Sequence, residues 1–176
     1  MIKLLHISDV HMNAGYSNRN EHIRTRLKEA MKTTLNSVFQ FAIDEGVDGV
    51  IIAGDFFDHE KISFEEEGYV IEKFREILEF GISIYYCSGN HDPMQTASFL
   101  EVFDSYDNFY IFEEDQVSCV SCIARDQTHY NVISVGHKSK NEQRNLIKTF
   151  PRKNDNDVWV GIAHASVPSA LTTTDK

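Results

Sequence analysis

An α/β fold carrying a second sheet is what the sequence predicts, on three observations. Apolar runs of strand length alternate with segments of helical period through the first half of the chain, and closely spaced strand-like runs follow in the second half. Carboxylate, imidazole and amide side chains recur just beyond the expected strand ends. Open α/β sheets assemble their sites beyond the carboxyl ends of strands, so ligands distant in sequence converge there.

The first strand is expected over 3–7 and runs into Ser8-Asp9-Val10-His11. Ile23, Leu27, Met31, Leu35, Val38 and Ala42 then recur at helical spacing, which predicts a helix over 21–45 with Gly46 as its stop. A strand over 47–53 leads to Gly54-Asp55-Phe56-Phe57-Asp58. The helix after it, over 64–80, opens on a Ser63/Glu66 capping box and closes at Gly81. A third strand, over 82–87, delivers Gly89-Asn90-His91-Asp92. This β-α-β-α-β order predicts parallel strands joined by right-handed crossovers. Beyond it a short helix is expected over 96–103, and strands over 109–112, 117–123 and 131–135 suggest the second sheet. Ser139 and Glu142 cap a helix expected to reach residue 150, and a polar loop over 152–157 precedes a strand over 158–163 that ends at His164.

With 176 residues, 41% of them hydrophobic, the chain suits one domain with a real core. Its longest apolar runs are strand-sized, so a bilayer-spanning segment is not expected, and Met1-Ile2-Lys3 leads straight into the first strand without a secretory signal region. Three cysteines do not make a disulfide framework, and a reducing cytoplasm is the simplest home. Cys119 and Cys122 form a Cys-x-x-Cys match inside a strand-like run, where alternation sends them to opposite faces and argues against a zinc or redox pair. The net charge of −10 opposes casual binding to nucleic acid, although two divalent ions would offset it where it is densest. Arg19, Arg24 and Arg26, near the first motif, read individually as a solvated helix face.

Carboxylate, imidazole and amide oxygen donors suit manganese, iron or zinc, whereas no thiolate cluster is present. A carboxylate can bridge two ions about 4 Å apart, which together hold a phosphate and activate a water. Asp55 is the candidate bridge, with Gly54 and Gly89 letting the backbone turn closely at their two loops. Taken singly, Asp9 or Asp55 would read as a helix cap or a turn carboxylate. Their joint occurrence in four motifs decides for a site. His11, His91 and His164 have motif context; His6 reads as a strand residue, His59 as a loop residue, and His22, His129 and His137 as surface or structural.

The order Asp-x-His, Gly-Asp-x-x-Asp, Gly-Asn-His-Asp and a later lone histidine resembles the calcineurin-like metallophosphoesterase superfamily. Leu4-Leu5-His6-Ile7-Ser8-Asp9-Val10-His11, Val50-Ile51-Ile52-Ala53-Gly54-Asp55-Phe56-Phe57-Asp58 and Gly89-Asn90-His91-Asp92-Pro93 look most like its SbcD-type DNA-repair exonucleases. That resemblance implies a four-layer α/β/β/α sandwich, truncated in its second sheet, with the site at one end of the two sheets. It implies one ion on Asp9, His11 and Asp55 and a second on Asp55, Asn90 and His164. Manganese is the first choice, with iron, zinc or magnesium compatible with the ligands. His91 is implied as general acid with Asp58 as its orienting partner, since a neighbouring carboxylate favours a proton-donating imidazole. Asp92 is left to shape the turn before Pro93. The implied reaction is hydrolysis of DNA phosphodiesters; the alternatives are a phosphoesterase acting on nucleotides or phosphoproteins, and a catalytically silent metal-binding or interaction fragment. Dimerisation and an SbcC-type coiled-coil ATPase partner are implied in the same way. The superfamily's closing Gly-His-x-His does not follow His164, so residues 1–176 are expected to form a nuclease domain incomplete at its C-terminus, with weakly held metals.

Overall fold

The computed structural model describes residues 1–16, 18–58, 62–93, 98–112, 116–151 and 157–165. His59, the start of the helix expected over 96–103 and most of the loop expected over 152–157 lie outside those residues. Four strands, β1 (Leu4–Ile7), β2 (Gly49–Ala53), β3 (Ser83–Cys87) and β4 (Phe109–Ile111), form a parallel sheet in the order β1-β2-β3-β4. Helices α1 (Glu21–Asp44) and α2 (Phe64–Glu79) provide its first two crossovers. Asn20 Oδ1 caps α1 by accepting from the Ile23 N–H at 2.9 Å, and the Ser63/Glu66 capping box opens α2 as expected.

Stepping always to the next strand by right-handed crossovers puts both helices on one face of the sheet. Side-chain packing agrees. Val50, Ile52, Ile84 and Tyr86 join Leu35 and Phe39 of α1 and Val70, Phe74 and Ile77 of α2 in one core. The alternate residues Ile51, Ala53, Tyr85 and Cys87 join Cys122, Tyr130, Val132 and Ile162 in another. Burial on both faces explains why β2 and β3 read as continuous apolar runs rather than alternating ones.

The second core is roofed by a three-stranded sheet of β5 (Ser118–Ile123), β6 (His129–Ser134) and β7 (Val158–Ile162), in the order β5-β6-β7. β5 pairs antiparallel with β6, and β7 pairs parallel with β6. Cys119 is exposed and Cys122 buried, so the Cys-x-x-Cys pair is split between faces. Helices, first sheet and second sheet make three layers of the sandwich; no α-helix among the described residues covers the outer face of β5-β6-β7, where the Phe150 ring packs on Gly161. No helix among the described residues is long and apolar enough to cross a membrane.

Two expectations need correction. The run over 109–112 belongs to the first sheet. A 3₁₀ turn at Ser98–Phe103 sends Leu100 and Phe103 into the helix-side core, and Asn108 then ties the chain to the β3 edge. Its carbonyl accepts from the Ile84 N–H at 2.9 Å, while its Nδ2 donates to the carbonyls of Leu78 and Ile82 at 3.0 and 3.2 Å. The helix expected from Ser139 to residue 150 does not form either. Glu142 accepts from Arg144 N, Nε and Nη2 and from Lys138 N, and these local bonds compete with helical ones. Only a 3₁₀ turn remains, at Leu146–Thr149, capped by Asn145.

Candidate metal centre

The parallel pairing of β1 and β2 continues past the strand ends into two loops. Asp9, His11 and Met12 donate N–H groups to the carbonyls of Gly54, Asp55 and Phe56 at 3.1, 3.0 and 2.8 Å, and Asp58 N–H returns to the Met12 carbonyl at 3.0 Å. Met12, Phe56 and Phe57 are buried and root the loops in the core, which leaves Asp9, His11, Asp55 and Asp58 along the rim. Asp9, His11 and Asp55 adopt φ of 52°, 48° and 51°. Left-handed backbone at non-glycine residues is uncommon and costs about 1–3 kcal/mol per residue, so these loops are held by their surroundings rather than by local preference.

Asp92 supplies much of that hold. Its fully buried carboxylate accepts from the N–H groups of Asp55, Phe56, Phe57 and Gly89 at 3.0, 2.8, 3.4 and 2.7 Å, and from the Tyr86 hydroxyl at 2.7 Å. Burial pushes its pKa up against the pull of those donors. The expectation that Asp92 only shapes the turn before Pro93 is therefore too small: it fixes the neighbouring Asp55 loop. The two glycines make room for side chains. A Cβ on Gly89 would stand 2.2 Å from Asp55 Oδ1, and one on Gly54, whose φ is +84°, would stand 2.5 Å from the His164 ring.

The side chains meet around Asp55. Its Oδ1 accepts the His91 N–H at 2.8 Å. Its Oδ2 lies 3.3 Å from His164 Nε2 and 3.8 Å from His11 Nε2, and Asp9 Oδ1 is 4.0 Å from the latter nitrogen. The other ring nitrogens are tied back. His164 Nδ1 donates to the Ala53 carbonyl at 3.0 Å, and Asp58 Oδ1 receives Nδ1 of both His11 and His91 at 3.1 and 3.0 Å. A backbone or carboxylate acceptor on Nδ1 is the arrangement that leaves Nε2 free as a ligand.

Among the described residues, two groups place ligand atoms within 4.8 Å of one another: His11, Asp55 and His91, and Asp9, Asp55 and His164. Asp55 is common to both. Asp9, His11, Asp55, Asp58, His91 and His164 thus gather at one place, and Asn90 lines a cavity beside His164. The grouping differs from the expected ligand sets in setting Asp9 with His164 and bringing His91 next to His11. Hard and borderline oxygen and nitrogen donors around one shared carboxylate fit a pair of divalent ions. His137, expected to be a surface or structural histidine, is buried beside His164. No sequence pattern marks it.

Burial raises the Asp55 pKa, but the hydrogen bonds from His164 and the His91 N–H, with the charge of the rings, win and hold it below the usual value. His164 is raised to about 9, first by its hydrogen bond to Asp55, against desolvation. A raised histidine contributes stability that is complete below its ordinary pKa of 6.5 and is lost as pH climbs through about 9. A lowered carboxylate contributes stability that is complete above 3.8 and is lost as pH falls through its depressed value. The metal-free chain should therefore gain most from this pair between pH 3.8 and 6.5. Thermal midpoints measured in chelator should decline from pH 6.5 to 9 more steeply than those of His164→Gln; parallel curves would show that the pair does not couple to folding.

A family model described as calcineurin-like phosphoesterase matches residues 2–172. YhaO of Bacillus subtilis, an uncharacterized metallophosphoesterase, is 23% identical over 169 residues, covering 94% of this chain and 41% of that protein. The DNA double-strand break repair protein Mre11 of Methanopyrus kandleri is 31% identical over 91 residues, covering 52% of this chain and 19% of that protein. A solved dimetal phosphatase from Danio rerio superposes with a TM-score of 0.44 at 14% identity, over 84% of this chain and 49% of that one. The chain spans less than half the length of each of these three relatives. The family match covers both sheets and all four loops that build the rim, and on that ground the chain belongs to the calcineurin-like phosphoesterase family.

Proposed function

We propose that this chain is the hydrolytic part of a metal-dependent DNA exonuclease. The observation that carries the reading is Asp55 Oδ2, which faces Nε2 of both His164 and His11 at 3.3 and 3.8 Å while Oδ1 is occupied by the His91 N–H. One ion is assigned to Asp9, His11 and Asp55, and a second to Asp55, Asn90 and His164, with manganese as first choice. Such ions, when bound, polarise a phosphate and acidify a water. The chain's own groups do the rest. His91, held at Nδ1 by Asp58, keeps Nε2 available to protonate the leaving alkoxide. Asp58 sets the direction of that ring, and Asp92 keeps the loops in register.

DNA is favoured over a small phosphoester by the similarity to Mre11 proteins. An SbcC-type ATPase partner, a homodimer and a cytoplasmic setting complete the proposal. Its test is to supply Mn²⁺ with end-labelled linear duplex DNA, a nucleotide, a cyclic nucleotide and a phosphopeptide in parallel. The expected result is mononucleotide release from DNA that chelator abolishes. Rapid turnover of a small phosphoester with DNA left intact would transfer the assignment to a phosphatase.

A further inference from the structure

We infer that His137 is a positioning residue that holds His164, and through it one of the two metal positions, from inside the protein. The inference rests on the reading of His164 as a ligand. His137 is 7% exposed, and its Nε2 lies 2.6 Å from the His164 carbonyl oxygen, with the two rings nearly edge to face at 5.5 Å. A carbonyl can only accept, so Nε2 carries the proton. Nδ1 is buried and has no hydrogen-bond partner among the described residues. A proton there would be a buried donor with nothing to receive it, and buried N–H groups left unpaired are rare. The ring is thereby confined to one tautomer.

The backbone of His137 is pinned on its other side. Its N–H donates to the Ser88 carbonyl, and Ser88 Oγ donates to its carbonyl, each at 3.3 Å. Ser88 immediately precedes Gly89-Asn90-His91, so His137 spans from that loop to the segment that follows β7. The support is needed there. The last pair of the β6–β7 ladder is Ser134 with Ile162, and the His164 carbonyl lies beyond it. His137 takes up this carbonyl, while the Ala53 carbonyl takes up His164 Nδ1 at 3.0 Å. Backbone and ring are then fixed independently, and Nε2 stays aimed at Asp55.

Outer partners of metal ligands characteristically change affinity by 10- to 100-fold. Mn²⁺ titration followed by electron paramagnetic resonance should compare the unchanged chain with His137→Phe, His137→Gln and His164→Ala. Phenylalanine keeps the ring volume and loses the donor, whereas glutamine carries an amide nitrogen about as far out as Nε2. His137→Phe should weaken the same ion that His164→Ala removes, by roughly 10- to 100-fold, and leave the other ion unchanged. His137→Gln should bind both as the unchanged chain does. If His164→Ala retains both ions, the ligand reading beneath the inference fails. If His164→Ala loses one ion while His137→Phe keeps both, that reading survives and the inference is overturned. Equal weakening in the Phe and Gln variants, or of both ions in the Phe variant, also overturns it. Long-range ¹H–¹⁵N spectra of the unchanged chain give a check that depends on no variant's folding: His137 should be protonated at Nε2 and bare at Nδ1, and the opposite tautomer would end the proposal.

Discussion

Replacing Asp55 by asparagine is expected to weaken both metal positions together and to stop hydrolysis. The reason is local. Oδ2 is the oxygen facing both His164 and His11, and Oδ1 is held by the His91 N–H, so the carboxylate has no spare oxygen with which to compensate. An amide preserves the shape but offers one neutral acceptor where a charged oxygen stood. The loss of affinity should exceed the roughly 10- to 100-fold that follows removal of an outer partner. It should appear at both ions in a titration, alongside loss of phosphoester hydrolysis. The same substitution removes the main reason that His164 is raised to about 9, so its ring should titrate nearer to 6.5 by NMR. Two retained ions with near-normal turnover would remove Asp55 from the bridging role.

His91→Ala is expected to slow hydrolysis by roughly 10²- to 10⁴-fold, the usual scale of general acid–base assistance, while metal affinity stays near its original value. The experiment separates two roles, because His91 also stands within 4.8 Å of ligand atoms on His11 and Asp55. A substrate with a nitrophenolate leaving group needs little protonation, so the defect should shrink on it. Equal losses for good and poor leaving groups, or loss of an ion, would count against the general-acid role. Asp58→Asn should not be a milder copy of this variant. Asp58 Oδ1 serves Nδ1 of both His91 and His11, so its loss should lower the rate and metal affinity together.

Periodicity, the stops at Gly46 and Gly81 and the Ser63/Glu66 capping box made the helices legible, because such signals act between residues a few positions apart. The order of motifs likewise named the rim residues that the fold gathers around Asp55. What escaped was information carried by distant partners. A three-residue strand such as Phe109–Ile111 has no local feature that says which sheet it joins; Asn108 decides by reaching carbonyls near residue 80. Glu142 looked like a helix signal and folds into a turn because Arg144 lies two residues away. His137 depends on the carbonyl of His164, across 27 positions, and nothing in its neighbours predicts that bond. The five donors on Asp92 were hidden for the same reason, although the residue itself stood in a motif.

Asp92 reaches from the His91 loop to three consecutive N–H groups of the Asp55 loop, while Tyr86 and Gly89 hold it from its own side. One buried carboxylate is thus a pin through two loops, and protein groups alone hold the left-handed turn at Asp55. With Asp55 in the proposed bridging role, an incoming ion would find its shared oxygen held by the fold, and little of its binding energy would be diverted into ordering the chain. The same rigidity acts as a gauge. A loop able to shift would adapt to ions of different radius, whereas a pinned one imposes its own spacing and leaves ill-fitting ions with long bonds. Replacing Asp92 is therefore expected to broaden the choice among divalent ions, although the residue stands outside the proposed ligand sets.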